Sequence, residues 1–174
     1  MKRWLLPVLL LLAAPAAAQA PAPFDVVQAL QNIRAGRDAD ALYWFDRALG
    51  ERSLAGAARA DALEWRAFLH ARRGNLRAAR TDLDAAIEAD KDNPLRLRAR
   101  ARFHLRAGDF RAALADMEQV MARPGTDAEN YADLCEAQLG LGRRAEAAEN
   151  CRRAIQVNPE YARPKQLLRR AGGR

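Results

Sequence analysis

The side chains in this chain that could do chemistry are two cysteines, two histidines and a large excess of arginine. Cys135 and Cys151, the only cysteines, lie sixteen residues apart. If they face each other, oxidation closes a loop that stabilises the fold by about 3 kcal/mol on a chain-entropy model. The alternative is a pair of buried thiols filling core space, because paired helices sometimes hold the Cα atoms too far apart for a bridge. His70 and His104 are thirty-four residues apart. Two imidazoles fall short of the four ligands that a structural zinc takes, so packing is the expectation and no metal site is expected. Arg66 and Arg100 each precede an aspartate, Asp82 and Asp116, by sixteen residues, which predicts Arg–Asp pairs between helices or else solvated charge. Arg98, Arg102 and Arg106 recur every four residues, on one face if the segment is helical. Such an arginine stripe suits carboxylates through forked hydrogen bonds. Glu64, Trp65, Phe68 and Arg72 add two aromatic anchors within one short stretch. Catalytic machinery is missing: the only serine is Ser53, and neither a Gly-rich phosphate loop nor an HExxH pair occurs. No catalytic residue and no cofactor is expected, and the chain reads as a non-enzyme.

These residues are positioned by a repeat. Gly74 is followed at +5, +9, +12 and +13 by Ala79, Leu83, Ala86 and Ile87. Thirty-four residues on, Gly108 is followed by Ala113, Met117, Val120 and Met121, and thirty-four further Gly142 by Ala147, Cys151, Ala154 and Ile155. Near the start, Gly36 is followed by Ala41, Phe45, Ala48 and Leu49. A fixed period with small and large residues on one helical face marks stacked helix–turn–helix units, which bury their apolar faces only against neighbours. The cysteines then fall on facing helices of one unit. The step from Gly36 to Gly74 is thirty-eight residues, and the four extra are expected in the loose stretch from Gly50 to Gly56.

Helical spacing predicts helices over Phe24–Ile33, Asp40–Leu49, Ala60–Arg73, Leu76–Ala89, Leu95–Ala107, Phe110–Ala122, Ala128–Leu141, Ala145–Val157 and Glu160–Ala171. The breaks are Lys91–Pro94, Arg123–Asp127, with Thr126 or Asp127 as an N-cap, and Asn158–Pro159. The expected fold is an all-α, right-handed α-solenoid of four helical pairs, at about 24–52, 60–93, 94–127 and 128–159, plus a C-terminal capping helix at 160–171.

Over about residues 24–160 these features resemble the tetratricopeptide repeat (TPR) family, through Gly–x4–Ala–x3–large–x2–Ala in four registers, with Val120 in place of the last Ala in the third. The family's preceding helix carries aromatic, leucine, small and aromatic residues. Here those slots hold Leu63, Arg66, Ala67 and His70, then Leu97, Arg100, Ala101 and His104, then Tyr131, Leu134, Cys135 and Gln138. The small residue is kept and most aromatics are replaced. The first unit, with Asp25, Gln28, Ala29 and Asn32, departs furthest. The resemblance implies a protein-binding scaffold whose first helices line a concave surface. That places Glu64, Trp65, Phe68, Arg72, Arg98, Arg102 and Arg106 on the binding face, suited to an acidic peptide with an apolar anchor. The opposing expectation is a solvated arginine face balanced by Glu129, Asp133 and Glu136. The Asn and Lys set with which some members clamp a C-terminal carboxylate is absent.

The N-terminus reads as a signal peptide over residues 1–18: Lys2 and Arg3, an apolar run from Trp4 to Ala14, then small residues. Residues 19–23 form a linker. That run is too short to span a bilayer, so no stable membrane insertion is expected after cleavage. Cleavage would leave a chain near +5 from the full +7. Acidic residues are interspersed among the basic ones and aromatics are sparse, which argues against nucleic acid. The expectation is a periplasmic, non-enzymatic interaction scaffold of a Gram-negative bacterium holding a protein or peptide in its groove. The alternative is a self-associating assembly factor of a cell-envelope complex.

Overall fold

The computed structural model describes residues 23–125 and 127–172. The signal-peptide expectation, most of the linker and the Thr126 cap lie outside them. Among the described residues the chain forms nine helices: α1 Phe24–Arg34, α2 Asp38–Gly50, α3 Gly56–Arg72, α4 Leu76–Ala89, α5 Pro94–Ala107, α6 Phe110–Met121, α7 Ala128–Gly140, α8 Arg144–Val157 and α9 Ala162–Arg170. They pack as four successive pairs, with α9 against α7 and α8. This is an all-α solenoid of helix–turn–helix units with a terminal helix.

The repeat slots explain the stacking. The small residue five after each glycine, at Ala41, Ala79, Ala113 and Ala147, is fully buried and lets two helices approach closely. The larger residue at +9 fills the groove that this approach leaves. Phe45, Met117 and Cys151 are completely enclosed there and Leu83 nearly so. Burying an aliphatic or aromatic side chain of this size contributes about 1.5–3 kcal/mol.

Turns are set by glycine and caps by short polar side chains. Gly108 ends α5 in the left-handed region, φ 77°, where its N–H and that of Asp109 reach back to carbonyls of Leu105 and His104. Asp109 then caps α6 by accepting from the Ala112 N–H, and Asp127 caps α7 by accepting from the Asn130 N–H. Asn93 accepts from the Leu95 N–H, with Pro94 in the first turn of α5. Two expectations change. The four extra residues do not loosen the connection; Gly56–Arg59 adds one helical turn to the front of α3, which runs seventeen residues against fourteen for α5. The last helix begins at Ala162, two residues later than expected, because Asn158 turns the chain by accepting from the Glu160 N–H.

Candidate partner-binding groove

The charged residues of the first helices form a network that runs from repeat to repeat. Arg66 donates Nε to Asp82 Oδ2 at 2.9 Å and Nη2 to Asp82 Oδ1 at 2.6 Å, while Nη1 reaches back to Asp46 at 2.8 Å. Arg100 repeats the pattern one unit later, with Asp116 and Asp84. Each arginine therefore ties its own second helix to that of the preceding unit. The hydrogen bonds to Asp82 and Asp116 hold the two guanidinium pKa values above the ordinary arginine value. In the fourth unit the same slots hold Leu134 and Asn150, and Asn150 instead bonds within its own unit, donating Nδ2 to Gln138 Oε1 of α7 at 2.9 Å.

Arg96, which nothing in the sequence singles out, is the most buried arginine of the network. It donates to Asp61 at 2.6 Å, Asp90 at 2.9 Å and Glu64 at 3.2 Å. Burial raises the Glu64 carboxyl above the usual carboxylate value against the pull of the Arg96 charge. Two of its acceptors, Asp61 and Glu64, lie on α3 one unit earlier, and Asp90 lies in the turn just before α5, so the pairs to α3 have no short-range spacing to announce them.

The arginine stripe divides. Arg98 donates to Asp127 at 2.9 Å and to Asn130 at 3.2 Å. Arg102 donates to Asp133 at 2.7 Å and Glu129 at 2.8 Å. Burial opposes the Arg102 charge, but the hydrogen bonds to Glu129 and Asp133 outweigh it and raise its pKa. Asp133 is fully buried and also accepts from Arg163 of α9, whose Nη2 binds Glu136. Arg106 is exposed and makes no ion pair among the described residues.

Between α3 and α5 lies a groove of about 820 Å³. Of the residues singled out in the sequence, Glu64, Trp65, Phe68, Arg72, Arg102 and Arg106 line it, whereas Arg98 does not. Trp65 and Phe68 meet edge to face at 6.1 Å between ring centres, and Arg72 lies over Phe68 at 5.6 Å. Both rings remain about two-fifths exposed. Leu76, Ala99 and Phe103 also line the groove, and sequence reading passed over them. Ala99 stands thirty-four residues after Trp65; its small side chain leaves open the space that a second indole would fill.

The next junction is shut by the same logic. The slots of Leu76 and Arg106 are taken one unit later by Phe110 and Gly140. The Phe110 ring sits so close to Gly140 that an added Cβ would fall 2.1 Å from it. Among the described residues no cluster of three or more His, Cys, Asp or Glu could hold a metal ion, and no helix is long and apolar enough to cross a membrane. Cys135 and Cys151 are joined in a disulfide between α7 and α8, with Cα atoms 5.5 Å apart.

No family model and no curated protein matches the sequence. Solved structures do match the fold. MamA from Desulfovibrio magneticus RS-1 is 19% identical with a TM-score of 0.72, over 83% of this chain and 79% of that one. The first TPR of Spaghetti (RPAP3), solved bound to the HSP90 peptide SRMEEVD, is 20% identical with a TM-score of 0.62, over 69% of this chain and 95% of that one. The first TPR domain of human RPAP3 is 21% identical with a TM-score of 0.62, over 67% and 92%. The fold is thus TPR-like. The periplasmic location expected from the sequence is corrected: the MamA structures that this fold matches are not those of exported periplasmic proteins.

Proposed function

We propose that this chain is a scaffold that binds protein rather than transforming a substrate. One observation carries the reading: among the described residues, exposed large apolar side chains gather at two places, the α3–α5 groove and the first helical pair, with Leu95 and Val157 exposed singly elsewhere.

At the first pair, Phe24 and Val27 share one face of α1, Trp44 of α2 meets Phe24 edge to face, and Tyr43 meets Trp44 in turn, with Phe24 and Tyr43 more than half exposed. A solenoid end with an apolar surface invites a further repeat or a second copy, whereas the opposite end carries α9, most of whose outward side chains are polar. Likeness to the MamA structures over most of the chain supports this assembly form of the reading. In the groove, Trp65 and Phe68 offer anchors and Arg106 a charge with no ion pair among the described residues, which suits a peptide carrying acidic residues and an apolar side chain. The RPAP3 domain holding SRMEEVD, a peptide of that character, supports the groove form.

Light scattering over a concentration series, beside binding of labelled SRMEEVD, separates the two. Self-association abolished by Phe24→Ser with Tyr43→Ser, and untouched by Trp65→Ala, establishes assembly. Peptide binding lost with Trp65→Ala and Phe68→Ala establishes the groove. A chain that stays monomeric and binds neither peptide nor any protein partner overturns the scaffold reading.

A further inference from the structure

The charge of this protein is not spread evenly. Residues 23–142 hold eighteen Arg and Lys against nineteen Asp and Glu, whereas residues 143–174 hold nine against three. The excess therefore belongs to the last two helices and their approaches. Within that segment Glu146 is within 3.8 Å of Arg143, and Glu149 pairs with Arg153. Arg163 is turned inward onto Asp133 and Glu136. Besides Arg174, which lies outside the described residues, Arg144, Arg152, Lys165, Arg169 and Arg170 are left: all five are exposed, and none makes an ion pair among the described residues.

We infer that the α8–α9 end of the solenoid is an electrostatic docking surface for an anionic lipid bilayer. Three observations favour a bilayer over an acidic protein segment. None of the five cations lines the α3–α5 groove or the smaller cleft formed by Arg102, Leu105, Arg106, Asp133, Glu136 and Arg163, so neither would hold a peptide against them in one register. They are spread along two helices rather than converging on one point, which suits a surface of many weakly bound headgroups. The apolar side of α9, with Pro164, Leu167 and Leu168, is buried against the stack. Attachment is therefore peripheral and electrostatic, without an inserted wedge. Each cation within a Debye length of an anionic surface adds to the attraction, and salt weakens it. Arg163 fixes the pose, because its bonds to α7 clamp α9 and hold the basic side outward.

The test is co-sedimentation of the full chain with vesicles of phosphatidylcholine alone and of phosphatidylcholine with phosphatidylglycerol. Two variants with the same change of net charge are compared: Arg144, Arg152, Lys165, Arg169 and Arg170→Gln, and Arg34, Arg52, Arg73, Arg77 and Arg111→Gln. All ten positions are exposed, so both variants should fold, and thermal melts check it. The expected result is binding to the phosphatidylglycerol vesicles that falls at least tenfold in the first variant, falls far less in the second, and declines with salt. Equal loss in both variants, or equal binding to neutral vesicles, overturns the inference. Binding to polyglutamate without binding to the anionic vesicles also overturns it, in favour of an acidic protein partner.

Discussion

Arg100 holds Asp116 with two parallel hydrogen bonds, Nε to Oδ2 at 3.0 Å and Nη2 to Oδ1 at 2.7 Å. The aspartate is buried and the arginine a quarter exposed. Arg100→Leu strands a buried carboxylate and should cost about 3 kcal/mol, the low end for breaking a buried pair because the arginine still touches water. Adding Asp116→Asn copies the Leu134 and Asn150 of the fourth unit and should recover part of the loss. Urea unfolding of the three chains measures it; a double variant no more stable than Arg100→Leu would show that the slots are not interchangeable.

The disulfide closes a loop between residues 135 and 151. Reduction should cost about 3 kcal/mol, or roughly 6–12 °C in Tm for a domain of this size. Cys135→Ala with Cys151→Met, the residues found one unit earlier at Ala101 and Met117, should unfold at the same temperature with and without reductant. A melt of the native chain that ignores reductant contradicts the first expectation.

Gly140→Ala places a methyl group into the Phe110 ring. Overpacking of this kind costs about 1–3 kcal/mol. Phe110→Leu, which installs the residue of the open junction at Leu76, should relieve most of it when combined with Gly140→Ala. Thermal denaturation of the single and double variants decides.

Burial pushes the His104 pKa below its ordinary 6.5, against the pull of Asp116 and Asp109. Between the lowered value and 6.5 the unfolded chain binds more protons, so stability rises with pH across that window. It is fully present above 6.5 and is lost as the pH falls through the folded value. His104→Gln, which installs the residue of the fourth unit at Gln138, should flatten this part of the profile. Stability curves of both chains between pH 5 and 8, as a range spanning the ordinary histidine titration, check it.

In the groove, Trp65→Ala should weaken partner binding by at least tenfold, about 1.4 kcal/mol or more, with little change in Tm because the ring is part exposed. Arg98→Gln should do the reverse, lowering stability through its lost bonds to Asp127 and Asn130 while leaving groove binding intact. Equal effects of the two on binding would place Arg98 in the binding surface after all.

Much of the architecture was written in the chain itself. A glycine followed by alanine at +5 and a larger residue at +9, four times over, determined four helical pairs, because those slots recur at the same interhelical contacts. Helix ends followed from local chemistry: Leu76–Ala89 coincides with its predicted bounds, and Asp127 caps α7. The sixteen-residue spacing from Arg66 to Asp82 and from Arg100 to Asp116 was legible too, since both partners lie within one repeated unit.

Contacts between units were legible only in part. Glu129 and Asp133 could be named as carboxylates facing the arginine stripe, but not that Arg102 binds both while Arg98 turns to Asp127 and Asn130. Arg96 stood out in no pattern, because stacking brings it to Asp61 and Glu64 of the preceding unit. The sequence put three arginines on one helix face; the tertiary structure assigned two of them to carboxylates and left Arg106 open to the groove. It also opened one junction and closed the next, because Ala99 leaves space opposite Trp65 whereas Phe110 closes on Gly140. The physical reason is range: periodicity records what each residue does within its own unit, while the width of a groove depends on the sizes of side chains about thirty residues apart that meet only once the helices have stacked.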